Sequence, residues 1–180
     1  MKRSNLILLG VLGAVFLYFT ILQFSTHNYV RKGVIEEAGT IISEIRNISN
    51  FRSIDIQDNM RVYFKQDSMT QVTLEAPENF MPHIQTKVNQ GTLVLEKIKR
   101  MNTDDTIKVF ISNHHVDTIK VGATAHFKTM GVVTGKELIL EFREESTGDL
   151  EVTYELVKCK KTSDANIKLT GNSKEINFSN

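Results

Sequence analysis

Four triplets decide how this chain reads: Ile119-Lys120-Val121, Leu138-Ile139-Leu140, Val157-Lys158-Cys159 and Ile176-Asn177-Phe178. Their first members are spaced 19 residues apart, and so are their last. In an extended strand, residues i and i+2 share a face while i+1 points away. Each triplet therefore offers two apolar side chains to one side. One such strand per period of ~20 residues suits a parallel β-solenoid, in which a single coil cannot bury its inward face and stacking completes the core. Ile119, Leu138, Val157 and Ile176 would form one inward column, and Val121, Leu140, Cys159 and Phe178 a second, with neighbours at the ~4.8 Å strand spacing. Lys120, Lys158 and Asn177 would face solvent, and Ile139 breaks that polar pattern. Leu150-Glu151-Val152 and Ile167-Lys168-Leu169 lie between the triplets, 17 residues apart, so the corners differ in length.

Working back from these triplets, short alternating runs continue to Phe51: Ile54-Asp55-Ile56, Val62-Tyr63-Phe64, Val72-Thr73-Leu74, Leu93-Val94-Leu95 and Ile107-Lys108-Val109. Turn residues bound them, among them Asp58-Asn59, Asp67-Ser68 and Gln90-Gly91. This is the pattern of half-buried strands. Pro77 and Pro82 fall between runs, in an irregular loop with Phe80 and Met81. The domain, residues 47–180, reads as all-β. Residues 27–46 form a connector in which Val34, Ile35, Ala38, Ile41, Ile42 and Ile45 fall at helix-like spacing, although Gly33 and Gly39 weaken it. A short helix and an extended tether both remain open.

Residues 1–26 hold a short stub and an apolar run. From Leu6 to Phe24 only Tyr18, Thr20 and Gln23 are polar, and these 19 residues match the roughly 20 that a helix needs to span a hydrocarbon layer of about 30 Å. The run exceeds the ~7–15 residues of a signal peptide, and Phe24-Ser25-Thr26-His27 is not a small-residue cleavage site. The expectation is one uncleaved N-terminal transmembrane helix spanning 6–24. Lys2 and Arg3 flank one end and Arg31 and Lys32 the other; the free amino terminus tips the orientation to N-inside. The chain would then be a single-pass protein of the cell membrane with its domain periplasmic or extracellular.

Of 22 Lys+Arg, these four precede Gly33, which leaves 18 against all 21 Asp+Glu and a net charge of −3 for the remainder. A mildly acidic domain without a basic block is no nucleic-acid binder. Trp is absent, so a sugar-stacking surface would rest on Tyr and Phe. The single Cys159 closes no intramolecular disulfide and excludes lipid attachment after the apolar run.

Arg46-Asn47-Ile48, Phe51-Arg52-Ser53-Ile54-Asp55-Ile56, Val62-Tyr63-Phe64, Val72-Thr73-Leu74-Glu75-Ala76, Ile84-Gln85-Thr86-Lys87-Val88, Gly91-Thr92-Leu93-Val94-Leu95 and Ile107-Lys108-Val109-Phe110-Ile111 follow one another in the order and spacing of the bacterial head GIN domain family. The stretch from Arg46 to about Gly122 resembles that family, whose members are labelled auto-transporter adhesins. The resemblance implies a right-handed parallel β-solenoid in the cell envelope and no established activity. Two features depart from it: Gln57-Asp58-Asn59-Met60 stands where the family often has a glycine turn, and the C-terminal repeats are few, with no capping segment after Ser179.

The chemistry-bearing residues read as ordinary surface or core. Adjacent His114 and His115 point to opposite faces if on a strand and could chelate only in a turn, with His126 as a third ligand; His27 and His83 stand apart. Asp104-Asp105 near Arg100 and Glu144-Glu145 beside Arg143 are carboxylate pairs in polar turns. Cys159 occupies an inward column and reads as a small hydrophobe. No nucleophile-elbow, Walker, dinucleotide or calcium-roll motif is present. Asp67-Ser68-Met69, Asp105-Thr106-Ile107 and Asp117-Thr118-Ile119 resemble a short O-glycosylation motif of some envelope proteins. The expectation is a non-enzymatic membrane-anchored module without metal, cofactor or catalytic residues, contacting a cell-surface polymer or envelope protein and self-associating through its open C-terminal coil. The alternatives are a polysaccharide-active solenoid enzyme and a purely structural or regulatory tether.

Overall fold

The computed structural model describes residues 34–102 and 107–179 together with Leu12, Val15, Phe16, Tyr18 and Phe19, and the chain divides into two units, Met1–Ile35 and Glu36–Asn180. In the first unit those five residues are helical and exposed, and a short strand β1 covers Val34–Ile35. Among the described residues no helix is long and apolar enough to cross a membrane. The expected transmembrane helix is therefore not shown. Five scattered positions do not make the ~20-residue apolar helix that a bilayer requires, and the rest of 6–24 lies outside the described residues.

The second unit carries β2 (Ile41–Arg46), β3 (Ser53–Ile56), β4 (Arg61–Gln66), β5 (Gln71–Pro77), a 3-10 turn (Met81–His83), β6 (Ile84–Asn89), β7 (Thr92–Lys97) and β8 (Arg100–Met101). There follow β9 (Lys108–Asn113), β10 (Thr118–Val121), β11 (His126–Thr129), β12 (Val133–Phe142), β13 (Thr147–Lys161) and β14 (Asn166–Ser179). Residues 41–46 of the connector are thus a strand and not a helix. A single sheet of 12 strands runs β2-β5-β9-β4-β11-β13-β12-β10-β3-β7-β6, with β14 added on β13.

The parallel β-solenoid expected from the repeats does not describe this domain. The sheet is mixed and curls into a nearly closed, barrel-like form. β2–β5, β5–β9 and β6–β7 pair antiparallel. The cause is local turn chemistry. Gln90 and Gly91 take left-handed φ of 47° and 74°, as a two-residue hairpin turn requires, and this reverses the chain between β6 and β7. A second tight turn at Asp67-Ser68 sends the chain into β5 alongside β9; there Asp67 Oδ1 accepts the Ser68 N–H at 2.7 Å.

In the C-terminal region the pairs are parallel. Leu138, Val157 and Ile176 are in register, as are Leu140, Cys159 and Phe178. Ile119 and Val121 are displaced by one column: Ile119 pairs with Leu140, at the head of the second column, and Val121 pairs with Phe142, outside both, a step of 21. The change of step has a visible source. Lys128 pairs with Asp149, but Val133 pairs with Val152, so two residues are extra between β11 and β12. They are looped out at Met130–Val132, with both Met130 and Val132 about half exposed, and Thr129 Oγ1 accepts the Glu151 N–H at 2.8 Å where the backbone ladder is interrupted. Because the shift is even, every inward residue remains inward.

The core lies inside the curl. Ile54, Ile56, Val62, Phe64, Leu74, Leu93, Leu95, Val109, Phe127, Leu138, Leu140, Phe142 and Val157 are all completely buried. The two edge strands of the path, β2 and β6, are bridged by Arg46. Its guanidinium donates to Ile84 O at 2.6 Å, Thr86 Oγ1 at 3.2 Å and Met81 O at 3.1 Å, and pairs with Glu44 at 2.8 Å. Gly135 stands opposite Tyr154 in the ladder; a Cβ there would collide with the Tyr154 ring. That ring is held by its hydroxyl, which donates to Val116 O at 2.8 Å.

Three outcomes follow for stability. Leu140→Ala should lower the unfolding free energy by about 2–5 kcal/mol through lost burial and the cavity left behind. Lys158→Ala should cost less than about 1 kcal/mol, because an exposed ion pair is worth little. Arg46→Met should cost about 2–3 kcal/mol by stranding the carbonyls it serves. Urea titration of the three variants reads all of these values.

Candidate functional site

The outer face of the sheet carries a continuous row of side chains. Ile45, Thr73, Phe110, Tyr63, Lys128, Asp149 and Lys168 are register partners in turn across β2, β5, β9, β4, β11, β13 and β14. One end is apolar: Ile45 is 64% exposed, and the Tyr63 and Phe110 rings stack at 5.0 Å between centroids. The other end is charged. Lys128 reaches Asp149 at 3.2 Å, and its hydrogen bond is the main reason the Asp149 carboxyl is held below the usual carboxylate range.

A second row lies on the other parallel wall. Asp55, Lys120, Glu141 and Lys160 are successive register partners on β3, β10, β12 and β13. Arg143 lies across it, 3.8 Å from Asp55 and 3.6 Å from Glu141, with Lys120 3.9 Å from Glu141. In the groove here Asp55, Glu141 and Glu144 converge with Lys120 and Arg143. Asp55 and Glu141 face cations across neighbouring strands, an alternation of charge that stabilises a ladder.

The third feature is a polar cleft where four connections meet: the approach to β3, the β4–β5 turn, the β6–β7 turn and the β9–β10 link. It is lined by Asn50, Arg52, Ser68, Gln90, His114 and His115, above the buried Asn113. Arg52 is set rigidly. Its N–H and that of Ser53 donate to Gly91 O at 2.9 and 3.1 Å, while Arg52 O accepts the Asp117 N–H at 2.8 Å. Asn113 seals the floor: its Oδ1 accepts from Thr70 Oγ1 at 2.9 Å, and its Nδ2 donates to Phe51 O and His115 O at 2.9 and 2.7 Å. The Arg52 side chain is 73% exposed and touches Asp117 Oδ2 at 3.3 Å; His115 Nε2 lies 2.7 Å from Asp117 Oδ1.

The histidines do not gather. His115 pairs with Asp117, His114 is exposed, and His126 Nδ1 meets Thr147 Oγ1 at 2.7 Å on another wall. Among the described residues no three His, Cys, Asp or Glu side chains are placed to hold a metal ion. Asp104-Asp105 and His27 lie outside the described residues. Glu144 and Glu145 are exposed at a corner, and Arg143 beside them reaches across to Asp55 and Glu141. Cys159 is buried, and burial pushes its thiol up from the ordinary value. Of the three short Asp-Ser/Thr motifs, Asp67-Ser68-Met69 is an exposed turn, Asp117-Thr118-Ile119 enters β10 with Ile119 buried, and the third includes residues outside those described. The cleft was missed from sequence because its lining comes from four separate turns; the His114-His115 pair was its one visible trace.

The fold and these surfaces define an all-β module on one mixed sheet, whose exposed features are rows and a cleft of polar and aromatic side chains. Residues 50–180 match the family described as "Putative auto-transporter adhesin, head GIN domain", and the chain belongs to that family. Similar folds occur in a "putative adhesin" of Parabacteroides distasonis (TM-score 0.70, 15% identity, covering 81% of this chain and 71% of that one). A "putative adhesin" of Bacteroides fragilis is similar too (TM-score 0.56, 14% identity, 81% of this chain and 100% of that one). So is a "Putative lipid binding protein" of P. distasonis (TM-score 0.61, 14% identity, 78% and 70%). At these identities the likeness is one of fold. No curated protein matches the sequence.

Burial of Cys159 gives a direct check on the core. Thiolate is the reactive form, and burial both disfavours it and blocks access. In native protein at pH 8 a thiol reagent should modify Cys159 at least tenfold more slowly than in urea-unfolded protein, as mass spectrometry over time would read out.

Proposed function

We propose that this protein is a non-enzymatic binding or adhesion module of a bacterial cell envelope, held at a membrane through residues 6–24 with its domain outside the cytoplasm. Family membership supports the envelope setting. The observation that carries the binding reading is the row from Ile45 to Lys168. It is a broad face of aromatic, hydroxyl and charged side chains suited to contact with a polymer or protein surface, whereas catalysis would need reactive groups converging on one atom. Similar proteins carry adhesin or lipid-binding names, which fits a module that works by contact.

Self-association through β14 belongs to the same proposal. Among the described residues β14 pairs with β13 alone, and Ile176 is 42% exposed where its partner Val157 is fully buried. An uncovered edge with apolar positions recruits further strands. Sedimentation of the full chain in detergent at rising concentration should show dimers or larger species, and a strict monomer at high concentration would refute this part.

The Asp55, Lys120 and Glu141 groove favours a second reading as a polysaccharide-active enzyme, which Asp55→Asn would test if turnover were found. The binding reading predicts capture of a cell-surface polymer or envelope protein by the immobilised full chain in detergent, with no new reducing ends released from bound polysaccharide. Tyr63→Ala with Phe110→Ala should weaken that capture at least tenfold. Release of reducing ends, or capture indifferent to the double variant, would reject it. A reporter active only in the cytoplasm should be silent when fused after Asn180.

A further inference from the structure

We propose that the cleft around Arg52 is a binding site for a carboxylated sugar, such as a uronic-acid residue within an acidic polysaccharide. The inference deepens the binding reading above and rests on it, since it assigns to a particular cleft the chemistry that the module would recognise.

The charge balance of the cleft is the first argument. The domain as a whole is acidic, yet the lining of this cleft contains Arg52, His114 and His115 and no carboxylate. Asp117, just beyond the rim, is shared between Arg52 and His115. It meets the guanidinium through Nη1 alone, at 3.3 Å. A guanidinium presents five N–H donors in a planar fork, so most remain for a ligand. A carboxylate is the group that such a fork engages in bidentate fashion. The adjoining concavity, which shares Arg52 and His115, adds exposed Lys136, while its one further acid, Glu137, is already paired with Lys158 at 2.6 Å.

The neutral lining is the second argument, and it separates a sugar from an acidic protein. Around Arg52 stand Asn50, Ser53, Ser68, Thr70 and Gln90, all able both to donate and to accept hydrogen bonds. That matches a ligand covered in hydroxyl groups. A protein partner would want an exposed apolar or aromatic anchor at the centre of its site. The one aromatic of the lining, Phe51, is 4% exposed and belongs to the core.

Rigidity is the third. The Arg52 backbone is tied to Gly91 on one side and to Asp117 and Thr118 on the other, and the floor is the fully bonded Asn113. A fixed frame lowers the ordering cost of binding. It also makes the exposed guanidinium the mobile element that can swing to a ligand without disturbing the fold.

The test is calorimetric titration of the full chain in detergent micelles with tri-galacturonate, and with the same trisaccharide after its carboxylates are reduced to alcohols. The acid form should bind, and the reduced form should bind at least tenfold more weakly. Arg52→Ala and Arg52→Gln should each lose at least tenfold for the acid form, with circular dichroism and thermal midpoints near wild type because the side chain is mostly exposed. Lys87→Ala, which removes an exposed cation of β6 that lines neither the cleft nor either row, should stay within twofold. Equal affinity for acid and reduced sugars, Arg52 variants that bind like wild type, or no binding of either sugar would overturn the assignment. If polymer capture by the row of Tyr63 and Phe110 persisted in any of those cases, the cleft inference alone would fall. Cleavage of the trisaccharide would instead remove the binding-module reading beneath it.

Discussion

A sheet with one apolar face, and no α-helix among the described residues of the domain to cover it, can bury that face only against itself. Everything else in this domain follows from that constraint. The inward residues Ile54, Val62, Leu74, Leu93, Val109 and Leu140 are fully buried because the sheet curls until its two path edges approach each other. At ~25 cal/mol per Å2 of apolar surface removed from water, that curl is the principal favourable term. Arg46 completes it. The backbone groups at a sheet edge want partners, and the β2 and β6 edges do not pair directly. One guanidinium with its fork of donors serves Ile84 O, Met81 O and Thr86 Oγ1 together, which a lysine, with a single compact charge, would do poorly.

Period and alternation made the strands legible. The 19-residue spacing did identify three strands that lie side by side in parallel register, β12, β13 and β14. It fails one strand earlier, at Ile119 and Val121, since a fixed spacing takes no account of two residues extruded at Met130–Val132. The even size of that insertion kept every apolar residue on its proper face, so the pattern looked intact while the register had moved. The solenoid expectation failed for a different reason. Alternation is the same in parallel and antiparallel strands, and only turns tell them apart. Gln90-Gly91 is the turn that sets β6 and β7 antiparallel, yet in sequence it marks only a turn, because Gln-Gly is not among the Asn-Gly and Asp-Gly pairs that signal a two-residue hairpin.

The polar surfaces were less legible than the core, and for a physical reason. A core face is written in consecutive alternate positions of one strand, so a single sequence displays it. The outer row takes one residue from each of seven strands, and the cleft two or more from each of four connections. Neither has any sequence period. Residues such as Arg52 and Gln90 are, in sequence, ordinary turn residues. Their shared location appears only when Gly91 O is seen to accept from the Arg52 and Ser53 amides. Adjacency in sequence singles out His114-His115, but proximity in sequence does not carry over to His126, which faces Thr147 on another wall.

The same construction explains why the cations of this acidic domain are distributed as they are. On the walls, cations alternate with acids across strands, as Lys128 with Asp149, Lys120 with Glu141 and Lys158 with Glu137. Parallel neighbours at ~4.8 Å make such alternation the natural way to avoid like charges directly opposite each other. Exposed pairs of this sort add at most about 1 kcal/mol each, so their effect lies more in fixing which residue sits beside which than in stability. At the turns no ladder imposes alternation, and a cation can stand with its donors largely unspent. Arg52 is such a cation. It is held by backbone bonds to two neighbouring segments and set beside side chains that are polar but uncharged. The geometry that makes the walls electrostatically self-contained is thus what leaves the turn end of the barrel as the place where an outside anion finds an available partner.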